Sequence, residues 1–410
     1  MDFSIPWLSK DGKLLLTARI LRMFGYGFLS VVLAIYLTLL GFNDILIGLL
    51  LGATLVNSVV FTLIASICTD KIGRRKTLIV YAILMSASGT VFVLTENYFA
   101  LFLAALIGTI NVTGSETGAF LSIEQAILPQ TVRDSKKRNT IFALYNMVGM
   151  LAMSAGILVS SLASYLEEYG LNQIDSIKFL FVFYSILGIG VILTYLMLTK
   201  EIEVKSTELK PLKMNLSPKL RVIITKLSGL FAIDSFAGGF VLQSIVSLWF
   251  FTKFGADLIT LSYVFSIAGV LTAFSFIVAA KIADRIGLVN TMVFTHIPSN
   301  VLLILVGLAP TFPLAIGFYL ARMALSQMDV PTRQSYIVAV VNEDERTAAA
   351  GITNISRNIA QSISPTVTGY ILQSFSYLAA PFVLGGLLKI LYDVSLYFNF
   401  RNTKPHDGEL

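Results

Sequence analysis

Charged side chains inside long apolar segments are the residues of this sequence most able to do chemistry. Five of them, Glu116, Asp234, Arg322, Asp329 and Arg357, lie near the middle of such segments, and a sixth, Arg22, lies somewhat to one side of the middle. A carboxylate in a partly dry cavity can take up and release a proton near neutral pH. An arginine stays charged and can bind a carboxylate, phosphate or sulfate group. The sequence therefore predicts that these six residues bind a substrate and a coupling proton.

The alternative interpretation is that the charges pair among themselves and hold helices together. Such pairing would repay the cost of an ionised group in the middle of a membrane helix, about 2.5–3.5 kcal/mol on insertion scales. Lys389 and Asp393, four residues apart, are predicted to form a pair within one helix. His296 is predicted to be a structural histidine with satisfied hydrogen bonds. For the six central charges, the residues alone leave both interpretations open.

The composition places the segments that carry these charges in a membrane. Of 410 residues, 56% are hydrophobic and 13% are charged, and the mean hydropathy is +0.79. A soluble domain usually carries about a quarter charged residues, so the surrounding medium is predicted to be lipid. One cysteine and two histidines argue against a disulfide and a metal site. No cofactor is expected.

Twelve segments are apolar enough, and long enough, to cross a bilayer, which takes roughly 20 residues. We refer to them as spans 1 to 12. Their limits are 14–40, 45–68, 77–95, 98–128, 140–165, 178–199, 222–252, 258–282, 288–308, 312–340, 347–373 and 378–398. The even number places both termini on the same side of the membrane.

Basic residues identify that side as the cytoplasm. The connections 69–76, 129–139 and 200–221 are rich in lysine and arginine, whereas the opposite side has only Lys178 and Lys253. The positive-inside rule therefore predicts cytoplasmic termini. The formal charge of +6 reflects this orientation and does not indicate nucleic-acid binding. The expected location is the plasma membrane.

The two halves of the sequence look like copies of one six-helix unit. Asp70 to Arg75 follows span 2, and the similar Asp284 to Gly287 follows span 8, 214 residues later. Glu124 and Arg333 occupy matching places in spans 4 and 10, 209 residues apart. The predicted division is an N-terminal bundle (1–200), a cytoplasmic linker (201–221), a C-terminal bundle (222–400) and a cytoplasmic tail (401–410).

Ser66 to Arg75 reads Ser-Ile-Cys-Thr-Asp-Lys-Ile-Gly-Arg-Arg. It resembles the cytoplasmic signature between spans 2 and 3 of the major facilitator superfamily, with Ser66 in place of the first glycine. The resemblance covers the whole chain in span number, orientation and central linker. It implies an all-α polytopic membrane protein with about 12 transmembrane helices in two pseudo-symmetric six-helix bundles. Spans 1, 4, 7 and 10 would line a central cavity, and rocking of the bundles would give alternating access.

The signature and other charges near the cytoplasmic ends of spans suggest a conformational gate. Such residues suit a salt-bridge lock between bundles that breaks and re-forms during transport. The predicted gate residues are Asp70, Gly73, Arg74, Arg75, Glu124, Asp284, Arg333 and Arg346.

Together these features predict a proton-coupled secondary transporter of a small organic anion or zwitterion, and no enzyme activity. The sequence has no Gly-x-x-x-x-Gly-Lys-Ser/Thr phosphate loop that would indicate a pump. The alternatives are a multidrug/proton antiporter, an uncoupled uniporter and a non-transporting membrane sensor. Span 5 lacks the Gly-Pro-rich signature of the superfamily's drug exporters, which weakens the antiporter alternative. The expected partners are a small-molecule substrate, protons and lipid, and the expected state is a monomer.

Overall fold

The described residues of the computed structural model form helices joined by short connections. They are residues 7–113, 118–132, 138–203, 218–330, 332–333, 336, 346–375 and 378–401. The helices are α1 (Lys10–Leu39), α2 (Asp44–Ile72), α3 (Arg74–Leu94), α4 (Tyr98–Ile107), α5 (Ala119–Ile127), α6 (Arg138–Val159), α7 (Leu162–Glu168), α8 (Gln173–Leu196), α9 (Pro218–Gly239), α10 (Gln243–Phe254), α11 (Leu258–Ile286), α12 (Leu288–Leu308), α13 (Phe312–Met323), α14 (Arg346–Phe375) and α15 (Ala380–Phe400).

Nine helical stretches of the described chain are long and apolar enough to cross a membrane. Two of them join consecutive helices, α6 with α7 and α9 with α10. Helices α4 and α13 are apolar but shorter. The protein is therefore an all-α polytopic membrane protein, as predicted, while the number of twelve spans stays a prediction.

The chain divides into two compact units. Unit 1 comprises residues 1–42, 53–209 and 256–266, and unit 2 comprises residues 43–52, 210–255 and 267–410. The units follow the two halves of the sequence apart from the short pieces 43–52 and 256–266. The predicted bundle boundaries stay predictions.

Both short pieces pack by close backbone approach or by hydrogen bonding. In unit 2, Gly48 of α2 leaves no room for a side chain because the carbonyl oxygen of Pro365 fills that place. The amide of Ile45 donates to Gln373 Oε1 at 3.3 Å. In unit 1, Ser266 Oγ donates to the carbonyl oxygen of Ser154 at 3.1 Å. Small residues commonly allow such close approach between membrane helices.

In unit 1, α1 is the central helix and packs against α6 and α8. All of its residues from Gly25 to Leu37 are buried. Its contact with α6 depends on Gly27 and Gly156, since a Cβ on either would overlap the backbone of the other helix. In unit 2, α9 packs against α14 and α15, and α12 packs against α13 and α15.

Three of the four spans predicted to line the cavity are interrupted. Span 4 leaves its helix after Ile107 and resumes it at Ala119; residues 108–113 are described and not helical. Span 7 is interrupted between Gly239 and Gln243, and span 10 leaves the helix after Met323. Non-helical backbone is tolerated at membrane depth only where protein or water satisfies its polar groups.

Side chains from other helices bind carbonyl groups that these interruptions release. Asn57 Nδ2 donates to the carbonyl of Leu106 at 2.7 Å, and Tyr184 OH donates to that of Thr109 at 3.1 Å. Ser364 Oγ donates to the carbonyl of Phe236. Thr272 Oγ1 donates to the carbonyl of Met323 at 3.3 Å. The interruptions are thus supported by the surrounding helices.

Gly156→Ala is expected to destabilise unit 1, because its Cβ would overlap the carbonyl of Phe24. Overpacking of this kind typically costs about 1–3 kcal/mol. The control is Gly229→Ala in α9, where nothing lies within 4 Å of the added Cβ. That change is expected to stabilise by about 0.5–1 kcal/mol through helix propensity. Thermal unfolding in detergent measures both, and equal midpoints would contradict the predicted packing.

Candidate functional site

A buried ion pair in unit 1 joins Arg22 of α1 to Glu124 of α5. The Nη1 and Nη2 atoms of Arg22 donate to Oε1 and Oε2 of Glu124 at 2.9 and 2.6 Å, and both residues are fully buried. The hydroxyls of Tyr195 and Tyr145 donate to the same carboxylate at 2.7 and 2.5 Å. The carboxylate thus accepts four hydrogen bonds, which compensate for its removal from water.

Aromatic rings pack against Arg22 and against its neighbour Arg19. The Arg22 guanidinium lies 4.4 Å from the centre of the Phe120 ring. Arg19, one turn earlier on α1, lies 4.3 Å from the centre of the Tyr145 ring, and its Nη1 atom is 3.4 Å from the Tyr145 hydroxyl. Cation–π contacts of this kind stabilise a desolvated arginine. Arg22, predicted to bind substrate, is therefore engaged within unit 1.

A small cavity lies beside the interruption of span 4, also in unit 1. It has a volume of about 20 Å³, and the side chains of Tyr26, Asn57 and Asn111 are among those that line it. That volume is close to the minimum that holds one water molecule. The interruption therefore borders a space about the size of a water molecule, lined by both polar and apolar side chains.

Asp234 of α9 is the centre of a second buried charge cluster, in unit 2. Its Oδ1 atom lies 2.5 Å from Lys389 Nζ and 4.0 Å from His296 Nε2. Its Oδ2 atom lies 3.5 Å from Arg333 Nη1. Only 4% of Asp234 is exposed. Helices α12 and α15 and span 10 thus all contribute a basic side chain to one carboxylate.

Two further aspartates complete this cluster. Arg333 Nη1 donates to Asp329 Oδ2 at 2.7 Å, within one turn of span 10. His296 Nδ1 lies 2.8 Å from Asp393 Oδ1, and Asn300 Nδ2 donates to Asp393 Oδ2 at 2.9 Å. Asp393 is fully buried. A connected chain of charges therefore runs from Asp329 through Asp234 to Asp393.

Two arginines of unit 2 lie outside this chain of ion pairs. Arg357 Nε donates to Ser235 Oγ at 2.9 Å. Arg322 Nη1 contacts Met323 Sδ at 3.3 Å, and its Nε atom is buried without a hydrogen-bond partner. A thioether is only a weak acceptor. Among the described residues, neither guanidinium has a carboxylate within 4 Å.

The two clusters each contain an ion pair between corresponding spans of the two halves, but the positions of the cation and the anion are exchanged. In unit 1 the cation Arg22 comes from span 1 and the anion Glu124 from span 4. In unit 2 the anion Asp234 comes from span 7 and the cation Arg333 from span 10. Spans 1 and 4 correspond to spans 7 and 10 in the predicted repeat.

The sequence also matches a family model, described as the Major Facilitator Superfamily, over residues 15–326. The chain belongs to this superfamily. It is 27% identical to the uncharacterized membrane protein YJR124C of Saccharomyces cerevisiae, over 95% of this chain and 93% of that protein.

Solved structures of superfamily transporters have the same fold. A D-xylose–proton symporter matches 97% of this chain and 99% of its own, with 13% identity and a TM-score of 0.75. The nucleoside transporter NupG matches 96% and 100%, with 14% identity and a TM-score of 0.73. The human organic anion transporter MFSD10 matches 94% and 99%, with 15% identity and a TM-score of 0.58. The protein therefore has the fold of membrane transporters.

The superfamily signature contains the start of helix α3, whose first amides are capped by Glu203. Gly73, with a φ of +106°, precedes α3, and the Glu203 carboxylate accepts hydrogen bonds from the amides of Arg74 and Arg75 at 2.6 and 3.1 Å. A carboxylate at this end of a helix is favoured by the exposed amides and the helix dipole. Arg75 Nε also donates to the carbonyl of Tyr195 at 3.3 Å. The signature thus ties α3 to the end of α8 and to the segment that follows it.

The other predicted residues are distributed over both units. Unit 2 contains Asp234, Arg322, Asp329, Arg333 and Arg357, and unit 1 contains Arg22 and Glu124. Asp284 is exposed near the end of α11. Outside the described residues or side chains lie Glu116, Asp70 and Arg346. The roles assigned to all of them in substrate binding, proton binding and gating stay predictions.

The predicted pair between Lys389 and Asp393 is wrong. Lys389 binds Asp234 of α9, and Asp393 binds His296 and Asn300 of α12. Spacing along one helix could not reveal these partners because neighbouring helices supply them. The polar pair His296 and Asn300, four residues apart, was the signal available for this site. Nothing in the sequence singled out Tyr145 or Tyr195.

Glu124→Gln is expected to destabilise the protein by about 3–5 kcal/mol, because it leaves Arg22 buried without its counter-charge. Combining Arg22→Met with Glu124→Leu should recover most of that loss. The matched control is Glu96→Gln, which breaks the partly exposed 2.5 Å pair with Lys178 and is expected to cost less than about 1 kcal/mol. Unfolding in detergent followed by circular dichroism compares them; equal losses for the two single variants would contradict the structural role of the pair.

Proposed function

We propose that this protein is a secondary active transporter that moves a small organic anion or zwitterion by alternating access, coupled to protons. The superfamily membership supports transport of a small solute across a membrane. Relatives of the same fold are described as transporting nucleosides, D-xylose with protons, and organic anions. Because this fold carries several classes of solute, the choice among them depends on the residues of this chain.

Arg322 is the observation that favours an anion. The residue is half-buried, its Nε atom is buried without a hydrogen-bond partner, and Nη1 meets only a thioether. A buried donor without an acceptor is costly. Carboxylate, phosphate and sulfate groups match the planar fork of an arginine with two parallel hydrogen bonds. A bound anionic group would therefore satisfy donors that the protein leaves open.

The charges of unit 2 support the same choice. In its described part, the buried and half-buried charges near the interruptions comprise three aspartates and four permanently charged basic residues, which leaves one positive charge when His296 is neutral. The members are Asp234, Asp329, Asp393, Arg322, Arg333, Arg357 and Lys389. One anionic group, or the carboxylate of a zwitterion, would balance this surplus.

Arg322 also lies beside an interruption of a span. It is the second-last residue of α13, and the chain turns over residues 324–328 before it resumes a helix at Asp329. In transporters, interrupted helices form binding sites near the middle of the membrane because their ends expose polar groups to the ligand. The position of Arg322 therefore suits a substrate contact.

We also propose that both termini lie in the cytoplasm and that the protein resides in the plasma membrane. The single cysteine, Cys68, is partly exposed near the end of α2 that precedes the basic connection 69–76. A membrane-impermeant maleimide should therefore label Cys68 in intact cells only after permeabilisation. The control is Tyr169→Cys in a Cys68→Ser background, since Tyr169 is 87% exposed in the connection expected outside. Labelling of Cys68 without permeabilisation would contradict the orientation.

Arg322→Lys is expected to weaken anion binding about ten-fold or more, because an ammonium lacks the planar fork. A thermal-shift screen of purified protein against pooled organic anions, amino acids, sugars and lipophilic cations, at two pH values, measures this. A ligand at 100 times its dissociation constant stabilises the folded state by roughly 2.7 kcal/mol. The matched control is Arg221→Lys, an exposed arginine in the same unit, which should leave the stabilisation intact.

Two results would contradict the proposed substrate class. Stabilisation by lipophilic cations alone would indicate a multidrug transporter, and stabilisation by sugars alone would indicate a neutral solute. If an anion binds equally well to Arg322→Lys and to the parent protein, Arg322 is not its contact.

A further inference from the structure

We propose that His296 binds the coupling proton on its Nε2 atom. The proposal rests on the proposed proton-coupled transport and identifies the residue that carries the proton. It moves the proton site from the predicted carboxylates Asp234 and Asp329 to a histidine of α12.

The hydrogen bonds of His296 define which nitrogen is free for a proton. Asp393 also accepts from Asn300 Nδ2 at 2.9 Å, and an ionised carboxylate can only accept hydrogen bonds. With Asp393 ionised, the 2.8 Å contact between His296 Nδ1 and Asp393 Oδ1 places the hydrogen of the neutral ring on Nδ1, and the 3.3 Å approach of Asn300 Nδ2 to the same nitrogen is then a contact between two donors. Nε2 then keeps its lone pair, and it faces Asp234 Oδ1 at 4.0 Å. A proton added to Nε2 would lie between the ring and a second carboxylate.

Charge balance favours the same atom. The connected cluster holds three carboxylates but only two permanent cations, Arg333 and Lys389. With neutral His296 it carries one net negative charge, and with protonated His296 it is neutral. A buried cluster is more stable when its charges are compensated. Proton binding at His296 thus completes the compensation within this cluster.

The carboxylates of the cluster are less suited to the proton. Asp234 has Lys389 at 2.5 Å and Arg333 at 3.5 Å, and Asp329 has Arg333 at 2.7 Å. Opposite charges at such distances favour the ionised carboxylate. Asp393 lies 2.8 Å from the imidazole through Oδ1 and accepts a hydrogen bond from Asn300 through Oδ2, and hydrogen bonds of this kind favour the ionised form of a carboxylate. An imidazole, in contrast, ordinarily changes charge between about pH 5 and 8.

The groups that face His296 come from several helices. Helix α15 contributes Asp393, Lys389 and Tyr392, whose ring centre lies 6.1 Å from that of the imidazole. Helix α9 contributes Asp234, behind which Arg333 and Asp329 of span 10 follow at 3.5 and 2.7 Å. Helix α13, which also packs against α12, places no charged group within 4 Å of His296 in the described part of the chain.

A proton on His296 would act on the helix that carries the interruption of span 7. Protonated Nε2 would attract Asp234 Oδ1 in competition with Lys389 and, through the same carboxylate, Arg333. Asp234 lies about one turn before the end of α9 at Gly239, and its neighbour Ser235 binds Arg357. By redistributing these contacts, protonation of His296 would change the position of α9 next to the interruption of span 7.

The test is a direct titration of the imidazole. The chain has two histidines, so His406→Gln leaves His296 as the single imidazole and serves as the parent protein. Nitrogen NMR of protein labelled with ¹⁵N-histidine, recorded from about pH 5 to about pH 8, should show Nε2 gaining and losing its proton. In this parent carrying Asp393→Asn, the imidazolium should disappear at a pH lower by about one unit or more, since the counter-charge is gone.

Hydrogen exchange connects the titration to span 7. Exchange of the amides of residues 236–246, corrected for intrinsic rates, should change over the same pH range in the parent and lose that response in His296→Gln. If this variant does not fold, the test is the shift in the titration midpoint of the His296 imidazole in Asp393→Asn. An imidazole that keeps one protonation state throughout, or an unchanged response in His296→Gln, would overturn the proposal. Neither measurement needs a substrate. A negative ligand screen would therefore contradict the proposed function without contradicting proton binding by His296.

Discussion

A charge or an unpaired backbone group inside a lipid bilayer must find its partner within the protein, and most of this structure follows from that constraint. Where a span is interrupted, a side chain from another helix binds a released carbonyl, as Asn57, Ser364 and Thr272 do. In two places a charge of one span receives its counter-charge from another span, as Arg22 does from Glu124 and Asp234 does from Lys389. The polar groups therefore also decide which helices lie side by side.

The reversed polarity of the two ion pairs shows that the constraint does not determine which span carries the cation and which the anion. Spans 1 and 4 carry cation and anion, whereas spans 7 and 10 carry anion and cation. Desolvation requires that a buried charge be compensated, and either order of signs meets that requirement. The pairs also differ in the other groups that contact the carboxylate. In unit 1, two tyrosine hydroxyls donate hydrogen bonds to Glu124, whereas in unit 2 the basic side chains of Lys389 and His296 lie beside Asp234.

Hydropathy and the signature around Gly73 were sufficient to predict the membrane class and the superfamily, because both depend on residue type along the chain. The interruptions were not predicted, since glycines such as Gly108 and Gly239 are also common where membrane helices approach closely. Pairing within the buried clusters was predictable only in part. Lys389 and Asp393 have the spacing of a helical pair, but each has a closer partner on another helix. That choice depends on packing distances, which sequence spacing does not contain.

If Arg322 binds an anion and His296 binds a proton, electrostatics determines the sign of their coupling. Both sites lie among the buried and half-buried charges of unit 2, where a proton adds a positive charge and the substrate adds a negative one. Opposite charges in a medium of low dielectric constant favour each other's binding, and such linkage is reciprocal. Proton and anion would then bind together and leave together, which is the relation required for symport. A cationic substrate at the same site would compete with the proton and give exchange.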